Sequence, residues 1–210
     1  RFYAEYVNGR VELLAGTGCI RYADTLALSN AVYELGYTPM VISPYYFEMD
    51  QEKLFVYYDR LAKDVKGDLY LYNFPPRTGH SIAPETIRRL IDANPNIIGL
   101  KDSVSTPGHT NMVCRAVEGK PFAVYSGFDD QFLSNIANNG GGGCIGALSI
   151  IVPEIWSSLV KAANEKNFDR TFALYHLIQK LMPIYDMDTN CSLILKKPVS
   201  YTHLTLPTIR

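Results

Sequence analysis

The sequence predicts an α/β fold: a (β/α)8 TIM barrel with its first two βα units missing, followed by C-terminal helices. Three observations lead there. Short apolar runs, each the length of a buried strand, end near residues 15, 43, 73, 101, 126 and 147, steps of 28, 30, 28, 25 and 21 residues, the beat of repeated βα units. Stretches with helical spacing lie between them. No GxGxxG follows the first run, and Gly16-Thr17-Gly18 is too short for a dinucleotide fingerprint. Periodicity alone fits an open doubly wound sheet as well as a barrel, which needs eight strands and about 250 residues. The missing fingerprint favours the barrel.

Taken in order, Arg1 to Asn8 reads as the end of an element whose beginning is absent, and the chain opens on Arg1 rather than Met, so a truncated N-terminus is expected. The strand candidates are 11–15, 39–43, 69–74, 96–101, 122–126 and 143–147. Between them, Leu28, Val32 and Leu35 precede the stop signal Gly36; Leu54, Tyr58 and Leu61 follow at helical spacing; and Ile87, Leu90 and Ile91 stand behind Pro84. Two helical patterns, 152–163 and 168–184, then run without an intervening strand, and Phe168, Phe172 and Tyr175 share a face of the second. The pattern stops beyond Lys197. Residues 1–197 are therefore expected to form a partial TIM-barrel domain, and 198–210, which resembles translated sequencing adapter, a non-native tail.

Composition narrows the function. Of 210 residues 47% are hydrophobic, and 20 basic against 21 acidic residues give a formal charge of -1. That leaves no cationic excess for a nucleic-acid backbone or an anionic membrane. Neither an apolar run of about 18 residues nor a signal peptide is present, so a cytoplasmic protein is expected. Cys19, Cys114, Cys144 and Cys191 form no CxxC pair; four scattered buried thiols suit a reducing compartment. His80, His109 and His176 show no ligand spacing, so no metal is expected, and solitary surface or capping histidines are the default. The run from Asn138 to Gly143 is read as a tight αβ turn in preference to a phosphate cradle, because a strand follows it rather than precedes it.

In a barrel the reactive groups sit at the C-terminal ends of strands. The run Asn96-Ile97-Ile98-Gly99-Leu100-Lys101 ends in a lysine, which alternation places on the face of Ile97 and Gly99. The preceding run, Leu69-Tyr70-Leu71-Tyr72-Asn73, brings Tyr72 to the same mouth. Neighbouring strands lie about 4.8 Å apart, so the two side chains can meet over one substrate. An apolar interior disfavours the ammonium form of a lysine and supplies the neutral amine that attacks a ketone. By position alone a lysine at a strand end is more often a solvated charge, and most tyrosines are packing residues.

The segment Leu71-Tyr72-Asn73-Phe74-Pro75-Pro76-Arg77-Thr78-Gly79, followed 22 residues after Gly79 by the lysine of Ile97-Ile98-Gly99-Leu100-Lys101-Asp102, resembles the dihydrodipicolinate synthase and N-acetylneuraminate lyase family. Ala15-Gly16-Thr17-Gly18, Ser43-Pro44-Tyr45-Tyr46, Ser126-Gly127-Phe128-Asp129-Asp130 and Gly142-Gly143-Cys144-Ile145-Gly146 support it over roughly residues 9 to 197. The resemblance implies a pyruvate-handling class I aldolase, usually a homotetramer, that needs no cofactor. Lys101 would form the imine, Tyr72 would relay protons, and Tyr46 would be lent across a subunit interface. Arg77, Thr78, Ser103, Gly127, Asp129, Asp130 and Ile145 would line the substrate site. The family's Gly-Thr-Thr-Gly-type carboxylate loop has no counterpart in this chain, so the fragment itself is expected to lack half of that site.

Within the family, Arg77 is typical of synthases that condense pyruvate with aspartate semialdehyde, since a guanidinium can grip a second carboxylate in bidentate fashion. Lys101-Asp102-Ser103 in place of Lys-Glu-Ala, and Tyr46-Phe47-Glu48, resemble the sugar-acid lyases, although Ala147 stands where N-acetylneuraminate lyases usually carry serine. The expectation is a lyase for a 2-oxo-3-deoxy sugar acid or a sialic-acid type substrate, giving pyruvate and an aldehyde. A non-catalytic barrel that only binds a 2-oxo acid is the competing class, against which the Tyr72 and Lys101 pair weighs.

Overall fold

The computed structural model describes residues 1–188 and 193–196; Cys191 and the tail 198–210 fall outside the described residues. By contact the chain divides into two compact units, one of residues 1–127 and 132–144 and one of residues 128–131 and 145–210.

The first unit begins with α1 (Phe2–Val7), β1 (Leu14–Gly16), α2 (Tyr22–Tyr33), β2 (Thr38–Ile42), α3 (Gln51–Asp64) and β3 (Leu69–Asn73). A short α4 (Pro75–Thr78) and α5 (Pro84–Ala93) lead to β4 (Ile97–Asp102), α6 (Pro107–Ala116), β5 (Ala123–Ser126), α7 (Phe132–Ile136) and β6 (Gly141–Cys144). All six strands run parallel in one sheet in sequence order. This is the strand order of consecutive βα units of a (β/α)8 barrel, and it has no topological switch point of the doubly wound kind.

Side-chain alternation sorts the sheet into two faces. Val41, Leu71, Leu100 and Val124 are register partners along one row, and each is fully buried. They form the core with Leu54, Tyr58 and Leu61 of α3, Ile87 and Leu90 of α5, and Val113 of α6. Side chains of this size each contribute about 1.5–3 kcal/mol when buried. Local signals set the helix starts: the Asp50 carboxylate caps α3 by accepting from Lys53 N at 2.8 Å, and Pro stands at the first turn of α5 and α6.

Three expectations change. Leu69 pairs with Ile97 but Tyr70 with Gly99, so Ile98 is an extra residue in β4. This bulge reverses the alternation: Ile97 joins the buried core, and only Gly99 shares the face of Lys101. A Cβ at Gly99 would meet the Tyr70 ring at 2.3 Å and the Ala123 carbonyl oxygen at 2.9 Å, so the glycine makes room for Tyr70 beneath the lysine. The last strand starts two residues earlier than its apolar run, because Gly141 to Gly143 belong to β6 and the turn is confined to Asn138, Asn139 and Gly140 (φ 85°). Its pairing is backbone pairing, which hydropathy does not register. Helix α2 docks through polar groups: Thr25 and Ser29 are buried, with Ser29 hydrogen-bonded to Thr17 at 2.8 Å, while Leu28 and Leu35 remain about 40% exposed.

The second unit holds α8 (Pro153–Asn164) and α9 (Phe168–Leu181). Trp156, Leu159 and Ala162 of α8 and Thr171 and Ile178 of α9 are buried. Asn167 caps α9 by accepting from Arg170 N at 3.2 Å. Phe168 and Phe172 share a face, as expected, but that face is exposed. Of the described cysteines Cys114 is buried, and Cys19 and Cys144 are half-buried. Among the described residues no helix is long and apolar enough to cross a membrane.

Candidate active site

Register partnership brings the two principal candidates together. Tyr72 of β3 pairs with Lys101 of β4, which pairs with Tyr125 of β5, so all three leave the sheet on the face opposite the helix-packed core. The Lys101 Nζ sits over the Tyr72 ring, 4.6 Å from its centroid, within the range in which a ring face attracts a cation. Phe74 stacks on Tyr72 with centroids 5.6 Å apart, which limits rotation of the ring. The Tyr72 hydroxyl accepts from Ser103 Oγ at 3.4 Å. Tyrosine hydroxyl and lysine amine thus converge at the strand ends, where a barrel carries its chemistry.

Ser103 is almost fully buried and is held by Ser103 N donating to Asn73 O at 2.8 Å. Gly127 lies directly against it: a Cβ at 127 would fall 1.9 Å from Ser103 Oγ and 2.8 Å from its Cα. Gly127 is therefore required as glycine for close approach, and it touches the site through Ser103. Thr78 is 5% exposed, with its hydroxyl directed at the carbonyls of His80 (2.7 Å) and Phe74 (3.2 Å). It closes the loop that presents Arg77, whose side chain is exposed on α4. Tyr46 is 85% exposed at φ 80°, a conformation costly for a residue with a Cβ, and its ring meets Phe47 edge-on at 5.0 Å.

In the second unit Asp129 is fully buried, and its carboxylate accepts from Ala147 N (3.1 Å), Leu148 N (3.3 Å) and the Tyr185 hydroxyl (2.5 Å). It shapes the loop after Ile145, a half-buried residue, rather than facing solvent. Asp130 is exposed, and its backbone carbonyl accepts from Tyr175. Partial desolvation of its carboxyl, with a smaller push from the Asp129 charge, raises the pKa from the ordinary value.

Sequence reasoning missed the histidines. His109 is enclosed: Nδ1 donates to Asp102 at 2.9 Å and Nε2 lies 3.0 Å from Ile82 O. His80 Nε2 bonds to Ser43 Oγ at 3.0 Å, and burial holds its pKa below the ordinary value. Of the three, only His176 is exposed. The signal that could have found His109 is its place one turn into the helix after the Lys101-Asp102 strand end.

A parallel α/β chain with a lysine and a tyrosine converging at adjacent strand ends has the form of a barrel enzyme that works through a lysine amine. The chain belongs to the dihydrodipicolinate synthetase family, whose sequence profile matches residues 1–209. It is 31% identical over 217 residues to YagE of Escherichia coli strain K12, named provisionally as a 2-dehydro-3-deoxy-D-gluconate aldolase, covering 99% of this chain and 71% of that one. It is 33% identical to the 4-hydroxy-tetrahydrodipicolinate synthase of Kosmotoga olearia, covering 90% of this chain and 65% of the relative. The same identity relates it to YjhH of E. coli K12, named provisionally as a 2-dehydro-3-deoxy-D-pentonate aldolase, over 87% of this chain and 62% of that one. The chain thus spans about two thirds of the length of these relatives. The crystal structure of E. coli YagE in complex with pyruvate superposes with a TM-score of 0.91 at 28% identity, covering all of this chain and 72% of that one.

Proposed function

We propose that this chain is the lysine-bearing part of a class I aldolase that cleaves a 2-oxo-3-deoxy sugar acid into pyruvate and an aldehyde. The observation that carries the reading is Lys101 Nζ over the Tyr72 ring at matched register. As free amine, Lys101 attacks the 2-oxo carbon, and loss of water gives a protonated imine. Tyr72 takes the proton from the substrate's 4-hydroxyl as the bond between its third and fourth carbons breaks. The electron pair of that bond moves into the imine as an enamine, and the aldehyde leaves. Protonation of the enamine carbon and hydrolysis then release pyruvate and restore the amine.

The sugar-acid class is favoured because two of the three relatives above carry sugar-acid aldolase names and because Ser103, not alanine, faces the Tyr72 hydroxyl. N-acetylneuraminate is the other lyase substrate in the proposal. One observation favours a synthase that condenses pyruvate with aspartate semialdehyde: the exposed guanidinium of Arg77 suits a second carboxylate. Tyr46, exposed and held at positive φ, supports a homotetramer in which it is lent to a neighbouring subunit. The free thiols of Cys19 and Cys114 fit a cytoplasmic location.

The test is a substrate panel on the full-length protein, following pyruvate release from 2-dehydro-3-deoxygluconate and N-acetylneuraminate, and pyruvate consumption with aspartate semialdehyde. Sugar-acid cleavage at least tenfold above the other two reactions is expected. Faster condensation with aspartate semialdehyde would transfer the assignment to the synthase.

A further inference from the structure

The proposed chemistry uses one face of β3 and β4. One residue further along both strands, on the opposite face, lies a polar row that it leaves unused. Asn73 and Asp102 are register partners, directly following the partners Tyr72 and Lys101, and both are fully buried. Asp102 Oδ1 accepts from Asn73 Nδ2 at 2.8 Å; Oδ2 accepts from His109 Nδ1 at 2.9 Å and from Thr110 Oγ1 at 2.7 Å. The Asn73 side-chain Oδ1 accepts in turn from Ile82 N at 3.0 Å. The network joins the ends of two strands, the first turn of α6 and the loop before α5.

Counting protons favours a charged ring. Ile82 O can only accept, and so can an ionised Asp102 carboxylate. His109 lies between them with one ring nitrogen on each, at 3.0 and 2.9 Å. Satisfying both contacts puts a proton on both nitrogens, an imidazolium; a neutral ring would give up the 3.0 Å contact with Ile82 O for the longer one, 3.4 Å, that Nε2 makes with Ser81 Oγ. Burial alone would lower its pKa, but the hydrogen bond and charge of Asp102, helped by the Ile82 carbonyl and the Glu85 charge, more than offset this and place it above the ordinary histidine value. The other titratable groups near the pair are Cys114 on α6, whose thiol is pushed up to about 11 by burial and then by the Asp102 charge, and His80, whose pKa burial lowers.

We propose that Asp102 and His109 form a buried ion pair that positions Lys101, locking the end of β4 and, through Asn73, the end of β3, so that the lysine amine stays over the Tyr72 ring. Consecutive Cα atoms are about 3.8 Å apart and the strand is stiff, so a shift at Asp102 is a shift at Lys101. Removing the imidazolium leaves a buried carboxylate without its counter-charge, which drives the segment to rearrange. The pair acts through Lys101 and touches no substrate.

The inference rests on the aldolase reading for the identity of the reactive lysine, but its test needs no turnover. Lys101 is labelled with limiting acetic anhydride across pH, and its rate relative to surface lysines is read by mass spectrometry in the parent, His109→Gln and Thr110→Val. The His109 resonance is titrated by NMR in the parent. Expected are a His109 midpoint above about 6.5, the ordinary value, and an inflection at the same pH in the Lys101 profile. In folded His109→Gln that inflection disappears and the relative rate changes about tenfold, the scale of losing a nearby charge; Thr110→Val, which keeps the ion pair, retains both. A His109 midpoint below 6.5, or one Lys101 profile shared by parent and His109→Gln, overturns the proposal. If His109→Gln does not fold, the parent's own two midpoints decide: coincidence supports the proposal and separation overturns it. Absence of a pyruvate-dependent borohydride adduct in the parent would sink the aldolase reading alone, with the labelling comparison still deciding this one.

Discussion

Replacing Gly127 with alanine tests whether the site is built on close backbone approach. The added Cβ would lie 1.9 Å from Ser103 Oγ, 2.7 Å from its Cβ and 2.8 Å from its Cα, whereas ordinary contact begins near 3.4 Å. A new rotamer moves only the hydroxyl, so relief requires the Ser103 backbone to retreat by roughly half an ångström or more (3.4 − 2.8 Å). That backbone is held by Ser103 N on Asn73 O and by Gly127 N on Asp102 O, both 2.8 Å. Overpacking of this kind costs about 1–3 kcal/mol, which for a chain of this size lowers Tm by roughly 2–12 °C. Ser103 also moves from Tyr72, so proton transfer should slow by about tenfold in the folded fraction. The assay is thermal unfolding by circular dichroism beside pyruvate release at a temperature where the variant is folded. A Tm within 1 °C of the parent and an unchanged kcat would refute the reasoning.

Four further outcomes are expected. Lys101→Arg keeps a cation over Tyr72 but cannot form an imine, so turnover should fall by at least about 10³-fold with little change in Tm, read by pyruvate release and unfolding. Tyr72→Phe keeps the ring under Nζ and loses the hydroxyl; kcat should drop about 10²–10⁴-fold while borohydride still traps pyruvate, and loss of trapping would show that the hydroxyl acts earlier than bond cleavage. Arg77→Ala should change sugar-acid cleavage less than about twofold, and a rise in KM of about tenfold or more for aspartate semialdehyde would instead identify the synthase. The two half-buried histidines should affect stability in opposite directions. His109, with its folded pKa raised, contributes stability that is full below the unfolded value near 6.5 and lost as pH rises through the folded one; His80, with its folded pKa lowered, is destabilising as pH falls from about 6.5 through its folded value. Denaturant titrations of His109→Gln and His80→Gln from pH 5 to 8 check the two signs.

The strand beat and the pairing of Tyr72 with Lys101 were legible in the sequence because both follow from alternation and spacing, which are local properties. The bulge at Ile98 was not, since an extra residue shows only against the partner strand. Nor was β6: glycines pair through the backbone and carry no hydropathy, so the apolar residues after them drew the eye two positions too far. The site's outer row was hidden for another reason. Asp102, Asn73 and His109 are polar residues whose burial is tolerable only because they satisfy one another, and nothing in a single sequence tells a satisfied buried histidine from a solvated one. Motif resemblance found Asp129 but not its environment, in which backbone N–H groups and Tyr185 occupy the carboxylate.

The central claim is that Lys101 forms an imine with pyruvate, and borohydride reduction of the full-length protein in the presence of pyruvate, followed by peptide mapping, tests it most directly. A reduced pyruvyl adduct on Lys101, absent without pyruvate and absent in Lys101→Arg, is the predicted result. A folded protein that yields no adduct, or one that carries it on another lysine, would contradict the account.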